Sequence, residues 1–137
     1  MSTTPKERAE VMNRLGQLGI GYHDAQTLRR CAMTLHRWAE LECGDGNDYA
    51  SWSIERDEET GKPYHCRYPH EGKMTRTPVA DREKGALKRI EITLKGYPAL
   101  TWYHQTDPRG ASLYILKKSD VEGLDIASVY TRGVAVY

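Results

Sequence analysis

The C-terminal half contains a hairpin signal that brings chemically capable side chains together. β-Favouring runs flank the segment Asp107-Pro108-Arg109-Gly110, in which Asp, Pro and Gly suit the first, second and fourth positions of a β-turn. His104 precedes this turn, and a histidine beside Arg109 could carry acid–base or phosphodiester chemistry. Turn geometry explains the other residues of the segment, and two side chains do not define a mechanism. A small hydrolase or nuclease that uses His104 therefore stays an alternative.

The histidines and cysteines of the chain do not show the spacing of a metal site. Five of them offer suitable ligand atoms: His36, Cys43, His65, Cys66 and His70. The sequence has no Cys-x-x-Cys pair, and His36 and Cys43 are too far apart along one helix to hold a single ion. Neighbouring residues of a strand point to opposite faces, so His65 cannot activate Cys66. The sequence therefore predicts no metal and no cofactor, and it favours a binding role over catalysis.

Composition and charge exclude several classes of protein. The 137 residues carry a net charge of +1 with acids and bases interleaved, which argues against a long basic surface for nucleic acid. No run of about 20 apolar residues could span a bilayer, and the first residues lack the apolar core of a signal peptide. The three cysteines are an odd number and favour free thiols. We therefore expect one domain over residues 1–137, in the cytoplasm and with no membrane partner.

Residues of about 5–43 predict an N-terminal helical hairpin. Thr4-Pro5-Lys6-Glu7 is a capping box with Pro at the first helical position, and Gly19 is suited to end the first helix. After a short link, Asp24 is the expected cap of a second helix, in which apolar residues recur every three or four positions. This pattern is typical of two helices that bury one face each.

The second predicted helix is basic on its polar side. Arg29, Arg30 and Arg37 lie there, and two helices joined by a glycine-containing link are the components of a helix-turn-helix. Nucleic-acid binding through these three arginines is therefore an alternative function. The same link would serve any helical hairpin, so the competing interpretation is a helix packed against the rest of the fold.

Residues of about 48–137 predict a mainly antiparallel sheet with one packed helix. The predicted elements, in chain order, are strands over 49–56 and 63–68, a loop over 69–80, a helix over 82–95 capped by Asp81, a hairpin over 100–116 and a strand over 133–137. Together with the helical hairpin, they predict an α+β fold with a sheet of about five strands.

Alternation along the predicted strands assigns side chains to a core face and an outer face. The expected core residues are Trp52, Ile54, Leu100, Trp102, Leu113, Ile115, Val134 and Val136. The expected outer residues are Ser51, Ser53, Glu55, Arg67, Tyr103, Ser112 and Tyr114. The chain has nine tyrosines and no phenylalanine, and tyrosine suits recognition surfaces because its apolar ring carries a hydroxyl.

We expect the outer face and the neighbouring turn to form one binding patch. Its candidate contact residues are Arg67, Tyr103, His104, Arg109 and Tyr114. The tyrosines would stack or anchor, the arginines would contact anionic groups, and His104 would form hydrogen bonds. A solvated sheet face without function is the competing interpretation.

Three segments carry a resemblance to known proteins: Leu35–Gly44, Pro78–Arg89 and Tyr103–Gly110. Together they resemble a set of small, uncharacterised proteins encoded by tailed bacteriophages and prophages. The resemblance implies a phage or prophage origin and a bacterial host cell, and it assigns no role to any residue.

Small phage proteins of this kind often act on host machinery or host defence, which favours a binding role by analogy. The expected function is that of a phage- or prophage-encoded accessory protein, with anti-defence activity among the candidates. It would bind a host protein, another host macromolecule or a small nucleotide-like ligand without catalysis. The sequence leaves open whether two copies form a homodimer.

Overall fold

The structure of this chain is a computed structural model that describes residues 4–43, 51–107, 110–124 and 133–136, with side chains described for 4–39, 53–104, 112–124 and 133–136. Its elements, in chain order, are α1 (Pro5–Gln17), α2 (Tyr22–Cys43), β1 (Ser51–Arg56), β2 (Pro63–Tyr68), β3 (Thr75–Pro78), α3 (Asp81–Lys95), β4 (Leu100–Asp107), β5 (Gly110–Lys117), α4 (Lys118–Val121) and β6 (Val134–Val136). The predicted α+β class is confirmed. Among the described helices, none is long and apolar enough to cross a membrane.

An N-terminal helical pair is present, as the sequence predicts. The Oγ1 atom of Thr4 accepts a hydrogen bond of 3.1 Å from a backbone N–H in the first turn, which caps α1. Gly19 has a positive φ of 88°, which glycine adopts at low cost, and the chain reverses there. α2 begins at Tyr22, so the predicted cap at Asp24 is wrong. Asp24 instead accepts a hydrogen bond of 2.5 Å from the hydroxyl of Tyr97.

The six described strands form two three-stranded antiparallel sheets, so the prediction of one sheet of about five strands is wrong. The strand orders are β1-β2-β3 and β4-β5-β6, and β1 lies against β4. β3 falls in the segment 69–80 that the sequence predicts as a loop. Its residues are polar, mostly exposed and end at Pro78, so they show no apolar alternation. Hydrogen bonding to β2 supplies the order that the local pattern does not indicate.

The main core lies where α1, α2 and α3 pack against the second sheet. α2 is its central element and contacts α1, α3, β5 and β6. Most of the predicted core residues are confirmed: Leu100, Leu113, Ile115, Val134 and Val136 are buried, and Ile54 and Trp102 pack against them. The side chain of Trp52 lies outside the described residues.

β5 is covered on both faces. Ser112, which the sequence predicts on the outer face, is buried, and so is Leu116 on the same side of the strand. The chain passes close to Leu116 at Gly133, where an added Cβ would lie 2.4 Å from the Cδ2 atom of that leucine. The absence of a side chain at residue 133 therefore permits this close approach.

Candidate functional site

His104 lies in the interior and not in an exposed patch. Its side chain is 3% exposed, and it shares a face of β4 with Leu100 and Trp102. Its ring meets the ring of Trp102 edge to face, with centroids 4.5 Å apart. The predicted surface position is therefore wrong, and His104 is out of reach of a substrate at the surface. The alternation that places Trp102 in the core also points His104 inward, and this signal outweighs its proximity to the turn.

A second buried histidine lies near His104. The Nε2 atom of His65 in β2 is 3.1 Å from the Oε1 atom of Glu83 in α3, and both side chains are fully buried. The backbone N–H of Ala80 donates to the same oxygen at 3.1 Å, so Glu83 also caps α3. The predicted cap at Asp81 is wrong, because that residue occupies the first helical position.

Burial determines the protonation state of His104. Burial, together with a smaller contribution from the nearby His65, lowers the pKa of His104 to about 3. The ring is therefore neutral at physiological pH. The sequence gives no indication of the contact between His65 and Glu83, because residues eighteen positions apart leave no local signal of it. Among the described residues, no group of three or more His, Cys, Asp or Glu side chains could hold a metal ion.

The predicted binding patch does not form as one surface. Tyr103 and Tyr114 are direct partners across β4 and β5, half-buried, on the face opposite His104. Arg67 lies on the face of its own sheet that carries His65, and its Nη2 atom donates to Thr77 at 3.0 Å. Arg67 and the two tyrosines therefore belong to different sheets, and Arg67 does not lie on the predicted outer face of its own sheet.

The last member of the predicted patch, Arg109, lies outside the described residues. Tyr103 and Tyr114 are the two members that lie side by side, and the role of the candidate residues in binding stays a prediction. The register explains why Arg67 is not on the predicted outer face, because it pairs with Trp52 and not with a residue of the outer set.

The three arginines of α2 divide between two sides of the helix. Arg30 and Arg37 are exposed and seven residues apart, so they lie on one line of the helix surface. Arg29 is rotated by about 100° from Arg30 and is half-buried, with its Nη1 atom 3.4 Å from the sulfur of Met33. Burial, and then the charge of Arg8 in α1, lower the pKa of Arg29. Arg29 therefore faces α1 and does not join the other two.

Arg30 and Arg37 lie beside two arginines of α3. The guanidinium carbon of Arg82 lies 3.1 Å from the centroid of the Trp38 ring. Burial raises the pKa of the Cys31 thiol, while Arg89 and Arg30 both act to lower it, so these two arginines approach the same sulfur.

Contacts along α2 and α3 show that the two helices run antiparallel. Trp38 meets Arg82, Cys31 lies near Arg89, and Asp24 bonds to the residue just after α3, Tyr97. Arg82 and Arg89 are also seven residues apart and share a line on α3. We call the exposed groove between these two lines the arginine groove. It is defined by Arg30, Arg37, Arg82 and Arg89.

The arginine groove carries positive charge, and the residues that lie between its arginines along each line are uncharged. Thr34 lies between the two arginines of α2, and Gly85 and Ala86 lie between those of α3. Arg30, Arg37 and Arg89 form no ion pair with any residue that the structure describes. Seven helical residues span about 10 Å, and packed helix axes lie about 8–10 Å apart. Four guanidinium groups are thus spread over an area roughly 10 Å on each side.

A polar pocket of about 460 Å³ lies on the outer face of the first sheet, beside Glu55, Cys66 and Arg76. Arg76 bonds to Asp57 at 3.2 Å and covers the Tyr64 ring at 3.9 Å. The carboxylate of Glu55 accepts hydrogen bonds from the hydroxyls of Tyr68 and Ser53. Glu55, Asp57 and Arg76 therefore already have hydrogen-bond partners around the pocket.

The chemistry of this pocket is also unreactive. Burial, with a further contribution from Glu55, raises the pKa of the Cys66 thiol to about 11, so little nucleophilic thiolate is present at neutral pH. The hydrogen bond to Glu55, with burial, raises the pKa of Tyr68 to about 12. The side chains around this pocket therefore have a structural role, because their hydrogen bonds connect three strands.

Comparisons with protein-family models, with curated proteins and with solved structures give no match to this chain.

Proposed function

We propose that this chain is a binding protein without catalysis of its own, and that its arginine groove binds nucleic acid. The observation that carries the proposal is the convergence of Arg30 and Arg37 from α2 with Arg82 and Arg89 from α3. Guanidinium groups pair with phosphate oxygens through charge-assisted hydrogen bonds. A groove with arginines along both sides therefore suits a linear polyanion.

The packing of α2 determines the kind of contact that this groove can make. α2 is packed against α1, α3 and the second sheet, so only its exposed side, which carries Arg30 and Arg37, can contact a partner. A recognition helix enters the major groove with its base-reading residues exposed, and α2 does not stand free in this way. The arginines therefore contact the phosphate backbone, and binding is largely independent of sequence.

The phage or prophage origin stays part of the proposal and rests on the sequence resemblance. In that setting the partner is nucleic acid of the host or of the phage, within a bacterial cell, and an anti-defence role is one use of such binding. Neither Arg109 nor a homodimer is needed for the groove to act.

The direct test measures binding of a random fluorescent duplex by anisotropy at several salt concentrations. The triple variant Arg30→Ala/Arg37→Ala/Arg89→Ala is expected to lose about tenfold or more in affinity. The slope of log K against log salt is expected to fall by about three, because each lost phosphate contact removes roughly one unit. Circular dichroism checks that the variant is folded.

A control of equal charge uses three exposed lysines outside the groove, Lys62, Lys73 and Lys117. The variant Lys62→Ala/Lys73→Ala/Lys117→Ala is expected to retain most of the affinity. An equal loss in both triple variants would show that net charge alone controls binding. That result, or no binding by the native chain at low salt, would overturn the proposal.

A further inference from the structure

The exposed face of α3 carries a second line of cations beside the arginine groove. Lys88 and Lys95 are both exposed and seven residues apart, so they share one line of the helix surface. Lys88 is rotated by about 100° from Arg89, and Ile92, which is 54% exposed, lies between the two lines. We call Lys88 and Lys95 the lysine line.

Contacts on the two flanks of α3 determine where the lysine line points. Arg82 covers an aromatic ring of α2, so the arginines of α3 face α2. On the other flank, two guanidinium nitrogens of Arg56 in β1 donate to the carboxylate of Glu91. Lys88 lies three residues before Glu91 and Lys95 four residues after it, so both are its neighbours on the helix surface. The lysine line therefore lies on the flank of α3 that is turned away from α2.

The acids of α3 already have partners and leave the lysine line its positive charge. Asp81 pairs with Lys84 at 2.8 Å, Glu83 is buried, and Glu91 pairs with Arg56. No ion pair joins the lysine line to an acid whose side chain the structure describes. The surface formed by α2 and α3 thus presents cations on both sides of α3.

The separation of the outermost cations suits a ligand with two rows of phosphates. Packed helix axes lie about 8–10 Å apart, and a helix with its side chains is about 10–12 Å across. The lysine line therefore lies roughly 13–16 Å from the line of Arg30 and Arg37. The major groove of a DNA duplex is about 12 Å wide and has one backbone on each side. A single strand presents only one row of phosphates.

We propose that the arginine groove and the lysine line together bind a nucleic-acid duplex, with one backbone along the groove and the other along the lysine line. The proposal rests on the function proposed above and specifies its partner. A duplex can use both sets of cations at once, because its two backbones run on either side of one groove. A single strand that follows the arginine groove leaves the lysine line without a phosphate.

The test compares three fluorescent ligands at one salt concentration: a 12-base-pair DNA duplex, a 12-base-pair RNA duplex and a 12-nucleotide single strand. The native chain is expected to bind at least one duplex about fivefold or more tighter than the single strand, because two further cations are engaged. The ratio of the two duplex affinities distinguishes DNA from RNA as the source of the ligand, since the grooves of the two helices differ in width.

The decisive variant is Lys88→Ala/Lys95→Ala. Its duplex affinity is expected to fall about fivefold or more, and the slope of log K against log salt by about two. The ratio of duplex to single-strand affinity is expected to fall toward one. Lys88→Arg/Lys95→Arg keeps both charges and is expected to retain duplex binding. Circular dichroism checks that both variants are folded.

The matched control removes two exposed lysines beside the first sheet, in the variant Lys62→Ala/Lys73→Ala. It changes the net charge by the same amount and is expected to retain most of the duplex affinity. An equal loss in the two alanine variants would show that net charge alone is responsible and would overturn the duplex proposal.

Failure of this inference is distinguishable from failure of the proposed function. Equal affinity of the native chain for duplex and single strand, or no effect of Lys88→Ala/Lys95→Ala on duplex binding, would overturn the duplex proposal. If the triple arginine variant still lost binding in that case, the nucleic-acid function would stand. If neither the arginines nor the lysine line affected binding, both proposals would be overturned.

Discussion

The Nε2 atom of His65 lies 3.1 Å from the Oε1 atom of Glu83, and neither side chain is exposed to solvent. This contact joins β2 of the first sheet directly to α3. A carboxylate oxygen only accepts hydrogen bonds, so the imidazole of His65 and the backbone N–H of Ala80 both donate to the Oε1 atom of Glu83. One buried carboxylate thus both caps a helix and attaches it to a strand.

Removal of this carboxylate is expected to be strongly destabilising. In Glu83→Ala, His65 and the Ala80 N–H would both be left in the interior without their partner, which typically costs about 3–5 kcal/mol. Urea denaturation followed by tryptophan fluorescence measures the loss. Lys84→Ala is the matched control, because Lys84 is exposed and pairs only with Asp81 at the surface, and it is expected to change stability by less than about 1 kcal/mol. Similar effects of the two substitutions would contradict this account.

Stability is expected to fall as the solution becomes acidic, partly because of His104. Its pKa is about 3 in the folded chain against an ordinary 6.5, so between these values the unfolded chain binds one more proton. As the pH falls below 6.5, the difference in proton binding by His104 lowers the free energy of unfolding by on the order of 1 kcal/mol for each pH unit. Urea midpoints measured between pH 7 and 4 check the slope.

His104→Phe keeps an aromatic ring beside Trp102 and removes the titrating group, so its stability should fall less steeply with acid. His70→Asn, which alters an exposed histidine, is the matched control. An unchanged slope in His104→Phe would show that other groups cause the acid sensitivity.

Gly133 and Gly85 are expected to respond to alanine in opposite directions. In Gly133→Ala the new methyl group would lie 2.4 Å from the Cδ2 atom of the buried Leu116, and the crowding is expected to cost about 1–3 kcal/mol. Gly85 lies inside α3 with no heavy atom near its Cβ position, so Gly85→Ala is expected to stabilise by roughly 0.5–1 kcal/mol. Thermal unfolding of both variants provides the comparison, and a stabilised Gly133→Ala would refute the close approach.

The Tyr97 hydroxyl is expected to contribute measurably to stability. In Tyr97→Phe, Asp24 and the N–H of Gly21 each lose a hydrogen bond, at a cost of about 1 kcal/mol. Tyr22→Phe removes a hydroxyl that bonds only at the exposed start of α2, so it serves as the control and should be nearly neutral. Equal unfolding free energies for the two variants would argue against the link between α2 and α3.

Features with a local cause could be predicted from the sequence. The capping box at Thr4 fixes the start of α1 through a contact between near neighbours, and the periodicity of α2 follows from one buried face. The β4–β5 pairing of Asp107 with Gly110 was likewise encoded by the residues of the turn. β3 was missed because its pairing with β2, and not its own composition, makes it a strand.

The candidate site was predictable only in part. Arg30 and Arg37 were recognised on α2, but Arg82 and Arg89 were not, because the antiparallel contact of α2 with α3 joins residues more than forty positions apart. The position of His104 near a turn indicates exposure, whereas the alternation of β4 directs its side chain inward. The position of Arg67 depends on the register of β1 against β2, which has no signal within either strand.

The two described cysteines, Cys31 in α2 and Cys66 in β2, are both free and buried. Burial raises the pKa of each thiol, so in the folded chain both thiols are shielded from a labelling reagent and little of the reactive thiolate is present. Alkylation therefore requires the surrounding backbone to open. Because one sulfur reports on the helical core and the other on the first sheet, their separate labelling rates would show which part of the chain opens more readily.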